Sequence, residues 1–188
     1  QVDIPAGVQS IDNYAFAYDA ALETVNIASG SVLGGIYKSA FYNCENLKSI
    51  STPDSVQEIG EYVFHGCTAL SNVDISENSH LKIISDHAFE NAGITEFIMP
   101  NELLELGGYA FYGASLRTLS FNNAITDLGE FALADCGMTE ITDLIIPDTV
   151  EYIGRGALQG FDSIKRLTVP FVGESSDDVQ HRISRSEE

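Results

Sequence analysis

Basic residues are scarce in this 188-residue chain: nine lysines and arginines stand against twenty-eight acidic residues, a formal net charge of −19 and a pI near 4.2. Such a surface repels phosphate backbones and anionic bilayers, which excludes nucleic acid as a partner and direct membrane insertion as a mode of attachment. Apolar runs of 18 or more residues, the length a membrane-spanning helix needs, do not occur in the sequence. Cysteine occurs three times, at Cys44, Cys67 and Cys136, with no CxxC pair, so neither a disulfide framework nor a zinc ribbon is indicated. The four histidines, His65, His80, His87 and His181, are scattered without metal-ligand spacing. Ser85-Asp86-His87 holds triad residue types, but neighbours in sequence cannot adopt the nucleophile, base and orienter geometry. There is no GxGxxG; Gly34-Gly35 and Gly107-Gly108 read as turn glycines rather than phosphate cradles. Asp177-Asp178 reads as a solvated loop, because a calcium site needs roughly six to eight oxygens. An enzyme, a cofactor and a resident metal are therefore not expected.

What the sequence does have is a frame. Phe16, Phe41, Phe64, Phe89, Phe111, Leu133 and Leu158 follow one another at steps of 25, 23, 25, 22, 22 and 25 residues. Eight residues before these anchors stand Val8, Leu33, Val56, Leu81, Leu103, Ile125 and Val150; five before stand Ile11, Ile36, Ile59, Ile84, Leu106, Leu128 and Ile153. Neither a helix nor a strand has that period, and a recurrence of 20–50 residues is the signature of a solenoid. Residue 1 falls inside a unit, since Val2 and Ile4 match Val73 and Ile75, so a trimmed fragment is expected. No basic segment followed by an apolar core marks a secretory leader at this end.

Each unit has two halves. One is a short alternating run, as in Leu70-x-x-Val73-x-Ile75 and Leu116-x-x-Leu119-x-Phe121, with the period of a strand. Pro53, Pro100, Pro147 and Pro170 follow such runs, where a residue without an N–H ends a ladder. The pattern predicts eight parallel strands near 2–4, 25–27, 50–52, 73–75, 97–99, 119–121, 144–146 and 167–169. In the sixth unit either Met138 and Ile141, or after an insertion Ile141, Leu144 and Ile146, take the usual sites; Pro147 favours the second register. The other half runs through the anchor, which is expected on a single helical or 3-10 turn held by packing. Gly60, Gly107, Gly129 and Gly154 share one column, where a bend with positive φ is expected. The cysteines all lie three residues after an anchor and are expected as buried free thiols. Residues 171–188 drop the frame and read as a polar cap or tail.

The run Leu70-x-x-Val73-x-Ile75 and the segments Ile146 to Gly154 and Ser55 to Cys67 resemble the BspA-like leucine-rich repeat family over roughly residues 1–170. Leu133 and Leu158 replace the anchor Phe, and Thr52 a strand Ile. Phe171-Val172-Gly173 after Val169-Pro170 is similar to the terminal units of gut-bacterial members. The resemblance implies an α/β right-handed solenoid of about seven repeats, with one parallel sheet on a concave face and short helical or 3-10 turns on the other side. It also implies surface or secreted proteins of host-associated bacteria and some parasitic protists, associated with adhesion to host or bacterial partners.

The strand positions between the buried ones point outward and are mostly small and polar. Asn26, Asn72, Asp74, Glu96, Thr118, Ser120, Asn122 and Arg166 are the candidate contacts for a protein or glycan partner, possibly host-derived, in an extracellular or cell-surface setting. A structural spacer presenting another domain is the alternative. Eight strands at about 4.8 Å and some 15 Å long give a face of roughly 500 Å², below the ~800 Å² of a standard interface. Weak intrinsic affinity and small salt dependence are the expectation.

Overall fold

The computed structural model describes residues 1–138 and 140–170; the expected cap over 171–188 lies outside the described residues. Fifteen strands run in order: β1 (Val2–Ile4), β2 (Ser10–Ile11), β3 (Thr24–Ile27), β4 (Gly35–Ile36), β5 (Ser49–Thr52), β6 (Glu58–Ile59), β7 (Asn72–Ile75), β8 (Ile83–Ile84), β9 (Glu96–Ile98), β10 (Glu105–Leu106), β11 (Thr118–Ser120), β12 (Asp127–Leu128), β13 (Asp143–Ile145), β14 (Tyr152–Ile153) and β15 (Arg166–Thr168). Every pairing is parallel and joins one turn of the chain to the next. The odd-numbered strands fall within one residue of the eight expected positions, and the sixth turn takes the register that Pro147 favours.

Two expectations are corrected. The even-numbered strands form a second, continuous seven-stranded sheet, built on the column five residues before each anchor. The odd-numbered strands form a main sheet in three pieces, β1-β3-β5-β7, β9-β11 and β13-β15. Loop length explains the pieces. Val25, Ile50 and Val73 lie nine residues after their anchors, Phe97 and Leu119 eight, Leu144 eleven and Leu167 nine. The sheet breaks where that spacing changes by an odd number, and pairing survives the even change between β13 and β15. Val73, Phe97, Leu119 and Leu144 all turn toward the core on either side of the breaks, so the loops absorb the difference in length and only the ladder between the two strands is lost.

No helix occurs among the described residues, and the anchor segments are runs of hydrogen-bonded turns. The residues two before and two after every anchor have φ between 52° and 80°, from Tyr14 and Tyr18 in the first turn to Gly156 and Gly160 in the last. A left-handed residue every fourth position cannot belong to a right-handed helix. It turns alternate amides toward the neighbouring turn instead: Tyr14, Phe16 and Tyr18 donate to the carbonyls of Lys38, Ala40 and Tyr42 at 3.0, 2.8 and 2.7 Å. The glycine column has another cause than positive φ. A Cβ on Gly107, Gly129 or Gly154 would stand 2.5–2.6 Å from backbone atoms of the preceding turn, so these glycines permit close stacking.

The core is one stack. Phe41, Phe64, Phe89 and Phe111 are fully buried, and successive ring centroids from Phe16 to Phe111 lie 5.3, 5.5, 5.2 and 5.0 Å apart. Each turn leaves its apolar side open except where the next turn covers it, so stability belongs to the array.

Candidate interaction face

Alternation along the odd-numbered strands sends every second side chain out of the core. Asn26, Asn72, Asp74, Glu96, Thr118, Ser120 and Arg166 are all exposed on the main sheet, spread over its three pieces. Asn122 is not on this face. It is buried, its Nδ2 donates to the carbonyls of Pro100 at 2.5 Å and Leu103 at 2.8 Å, and its Oδ1 accepts from the amides of Ala124 and Ile125. It lies beyond the end of β11, where it ties one turn to the previous one.

Several outward side chains are already engaged with each other. Asp3 accepts from Asn26 at 2.8 Å and from Gln1 at 3.0 Å, and these hydrogen bonds, Asn26 first, hold its carboxyl below the usual aspartate value. Asp74 accepts from Ser51 at 3.0 Å, and Asp143 pairs with Arg166 at 3.1 Å. The face thus offers hydroxyls and amides along with carboxylates that are mostly paired.

Two isoleucines interrupt it. Ile98 and Ile145 are each 67% exposed, in the outward column that also holds Asp74, Ser120 and Thr168. Polar selection missed them, although an apolar residue at an outward strand position is visible in the sequence as a fault in the alternation. Between them, where β11 and β13 fail to pair, an open groove of about 620 Å³ is lined by Thr118, Ser120, Phe121, Asp143 and Ile145. The turns on either side remain joined elsewhere, through β12 to β14 and through the Phe131 amide to the Arg155 carbonyl at 2.9 Å. The opening is therefore a wedge, closed at the back and open on the face.

Among the described residues no group of three or more His, Cys, Asp or Glu side chains is arranged to hold a metal ion. No helix among them is long and apolar enough to cross a membrane.

Residues 1–107 and 82–177 match the family described as BspA type leucine-rich repeat region, in six copies. Among solved structures, a leucine-rich repeat protein from Bacteroides ovatus superposes with a TM-score of 0.75 at 24% identity, over 90% of this chain and 45% of that one. The leucine-rich repeat protein of T. pallidum matches with a TM-score of 0.62 at 26% identity, over 76% and 65% of the two chains. The pneumococcal vaccine antigen PcpA matches with a TM-score of 0.60 at 21% identity, over 89% and 61%. This chain spans about half to two thirds of the length of these neighbours, and the likeness establishes the solenoid fold. No curated protein matches it.

Proposed function

Because the chain belongs to the BspA-type leucine-rich repeat family, we propose that it is a non-enzymatic binding module, displayed on a cell surface or secreted, which engages a protein partner through its main sheet. The observation that carries this reading is the wedge between β11 and β13 with Ile145 in its lining and Ile98 exposed one strand away, opposite Ser120. Interfaces are held by a few apolar anchors inside a polar surround. Here two isoleucines stand among Thr118, Ser120, Asp143 and Arg166. The pneumococcal neighbour PcpA is a vaccine antigen, which supports an extracellular setting.

Asp143 is neutralised by Arg166, Asp3 and Asp74 keep their charge while accepting from neutral donors, and most of the outward side chains are hydroxyls and amides, so hydrogen bonding outweighs long-range capture and affinity changes little with salt. The limited area of the face predicts weak binding by a single copy and a gain from multivalent display. The test is solid-phase binding to purified extracellular-matrix proteins and to a glycan array, comparing the native chain with an Ile98→Lys, Ile145→Lys variant. A protein bound by the native chain and lost in the variant supports the reading. Binding that survives both this variant and Asn72→Lys, Asp74→Lys, Thr118→Lys, Ser120→Lys moves the contact off the main sheet.

A further inference from the structure

On the anchor segments, away from the main sheet, the left-handed position two residues before each anchor carries a ladder of rings. Tyr62, His87, Tyr109 and Phe131 hold that position in successive turns, with centroids 4.4, 4.9 and 5.1 Å apart and planes within 27° of parallel. One turn earlier the position is Ser39, and one turn before that it is Tyr14. The ladder thus lacks one ring. Tyr14 and Tyr62 are two turns apart, about 9.6 Å at sheet spacing, which is room for one six-membered ring in contact with both. The space is an open slot of about 260 Å³, lined by Tyr14, Tyr18, Lys38, Ser39, Tyr42 and Tyr62. It is smaller than the roughly 300–1,000 Å³ of pockets for drug-sized ligands, so it suits a single ring.

Tyr14 adds an independent observation. It is 57% exposed. The other tyrosines lining the slot each have an aromatic neighbour; Tyr14 has none among the described residues. It lines the slot.

The polar groups decide which ring. The Lys38 ammonium lies over the Tyr62 ring, 5.8 Å from its centroid, and 2.6 Å from Glu61, so a bound ring takes the place of the ammonium on the Tyr62 face and finds that donor and acceptor at its edge, while Ser39 is buried at the base. A cationic ligand would meet Lys38, and an anionic one would meet a chain of net charge −19. What fits is a neutral ring with hydroxyls around its edge and polarised C–H groups on its faces, since aromatic faces carry negative potential. We propose that the slot between Tyr14 and Tyr62 is a binding site for a single neutral pyranose, such as the terminal residue of a glycan. Tyr14 and Tyr62 sandwich the sugar ring, and Lys38, Glu61 and Ser39 take its hydroxyls.

Saturation-transfer NMR with methyl β-glucopyranoside, methyl β-galactopyranoside, methyl α-mannopyranoside and N-acetylglucosamine tests this, with p-cresol as a flat-ring control. At least one pyranoside is expected to receive saturation from the native chain. Ser39→Tyr supplies the missing ring in the conformation that Tyr14 and Tyr62 already hold, and should abolish the signal. Tyr14→Ala, at an exposed site that leaves the fold intact, should weaken binding roughly five- to tenfold through loss of one stacking face. Ile98→Lys, Ile145→Lys should leave the signal unchanged, which separates this site from the main sheet. Transfer to no pyranoside, transfer to p-cresol alone, or transfer unaffected by Tyr14→Ala overturns the proposal. Melting of Ser39→Tyr checks that variant, and Tyr14→Ala carries the test if it does not fold.

Discussion

Phe64 shows how a single side chain contributes to a repeat protein. It is fully buried and its ring lies between those of Phe41 and Phe89, so its removal leaves a void shared by three turns. Phe64→Ala is expected to cost about 3–5 kcal/mol, read from denaturant unfolding, and an unchanged midpoint would contradict the anchor assignment. The cysteines are governed by the same packing. Cys44 and Cys67 donate to the carbonyls of Phe16 and Phe41, the anchors of the preceding turns, at 3.0 and 3.1 Å. Burial pushes the Cys44 thiol up to about 11 and the Cys67 and Cys136 thiols up to about 12, from 9.0. The folded chain then keeps protons that the unfolded chain releases, so stability falls as pH rises above 9.0 toward these values. Cys67→Ala is expected to make that alkaline loss shallower. A thiol reagent should find three cysteines in denaturant and react slowly with all of them in the native chain.

At the scale of the element, what was legible in the sequence is what repeats with an invariant residue type. The apolar columns placed all eight odd-numbered strands, because a buried position accepts little but an apolar side chain. The second sheet was less visible: its strands are two residues long, too short for alternation to appear. The helical expectation failed because the left-handed positions before the anchors are filled, except for Gly156, by Tyr14, Ser39, Tyr62, His87, Tyr109 and Phe131; the column after the anchors, with Asn43, Gly66, Asn91, Gly113, Asp135 and Gly160, does carry residue types that signal positive φ and was not read. The glycine column was seen but misread, since close approach between turns selects glycine without any unusual φ. Gly154→Ala would place a Cβ 2.5 Å from the Glu130 amide nitrogen and is expected to destabilise by roughly 1–3 kcal/mol. In the second sheet Glu105 stands directly opposite Asp127. Desolvation first, then the charges of Asp127, Asp86 and Glu58, holds its carboxyl above 4.5. A raised acid favours the folded state at low pH and loses that advantage as pH rises from 4.5 through its folded value. Glu105→Gln should therefore stabilise the chain at pH 7 by roughly 0.2–1 kcal/mol, on the scale of cross-strand pairs, and change nothing at pH 3.

For the whole molecule, the loops between anchor and strand decide what kind of face the solenoid presents. Equal loops would give one unbroken ladder; the change from eight residues to eleven between Phe111 to Leu119 and Leu133 to Leu144 opens the wedge beside Ile145. The polar candidates Asn26, Asn72, Asp74, Glu96, Thr118, Ser120 and Arg166 were legible because alternation alone sends them outward. The wedge was not, because it depends on a comparison of loop lengths between neighbouring turns. Asn122 was misplaced because it lies past the last paired residue of β11, where alternation no longer fixes direction. The account rests on the main sheet being open between β11 and β13, and amide hydrogen exchange followed by NMR measures that directly. In a parallel sheet the amides of a strand alternate between its two neighbours, so those of residues 118–120 and 143–145 that face the gap should exchange orders of magnitude faster than the amides joining β5 to β7 or β4 to β6. Uniform slow exchange across 118–120 and 143–145 would mean that the sheet is continuous and the wedge does not exist.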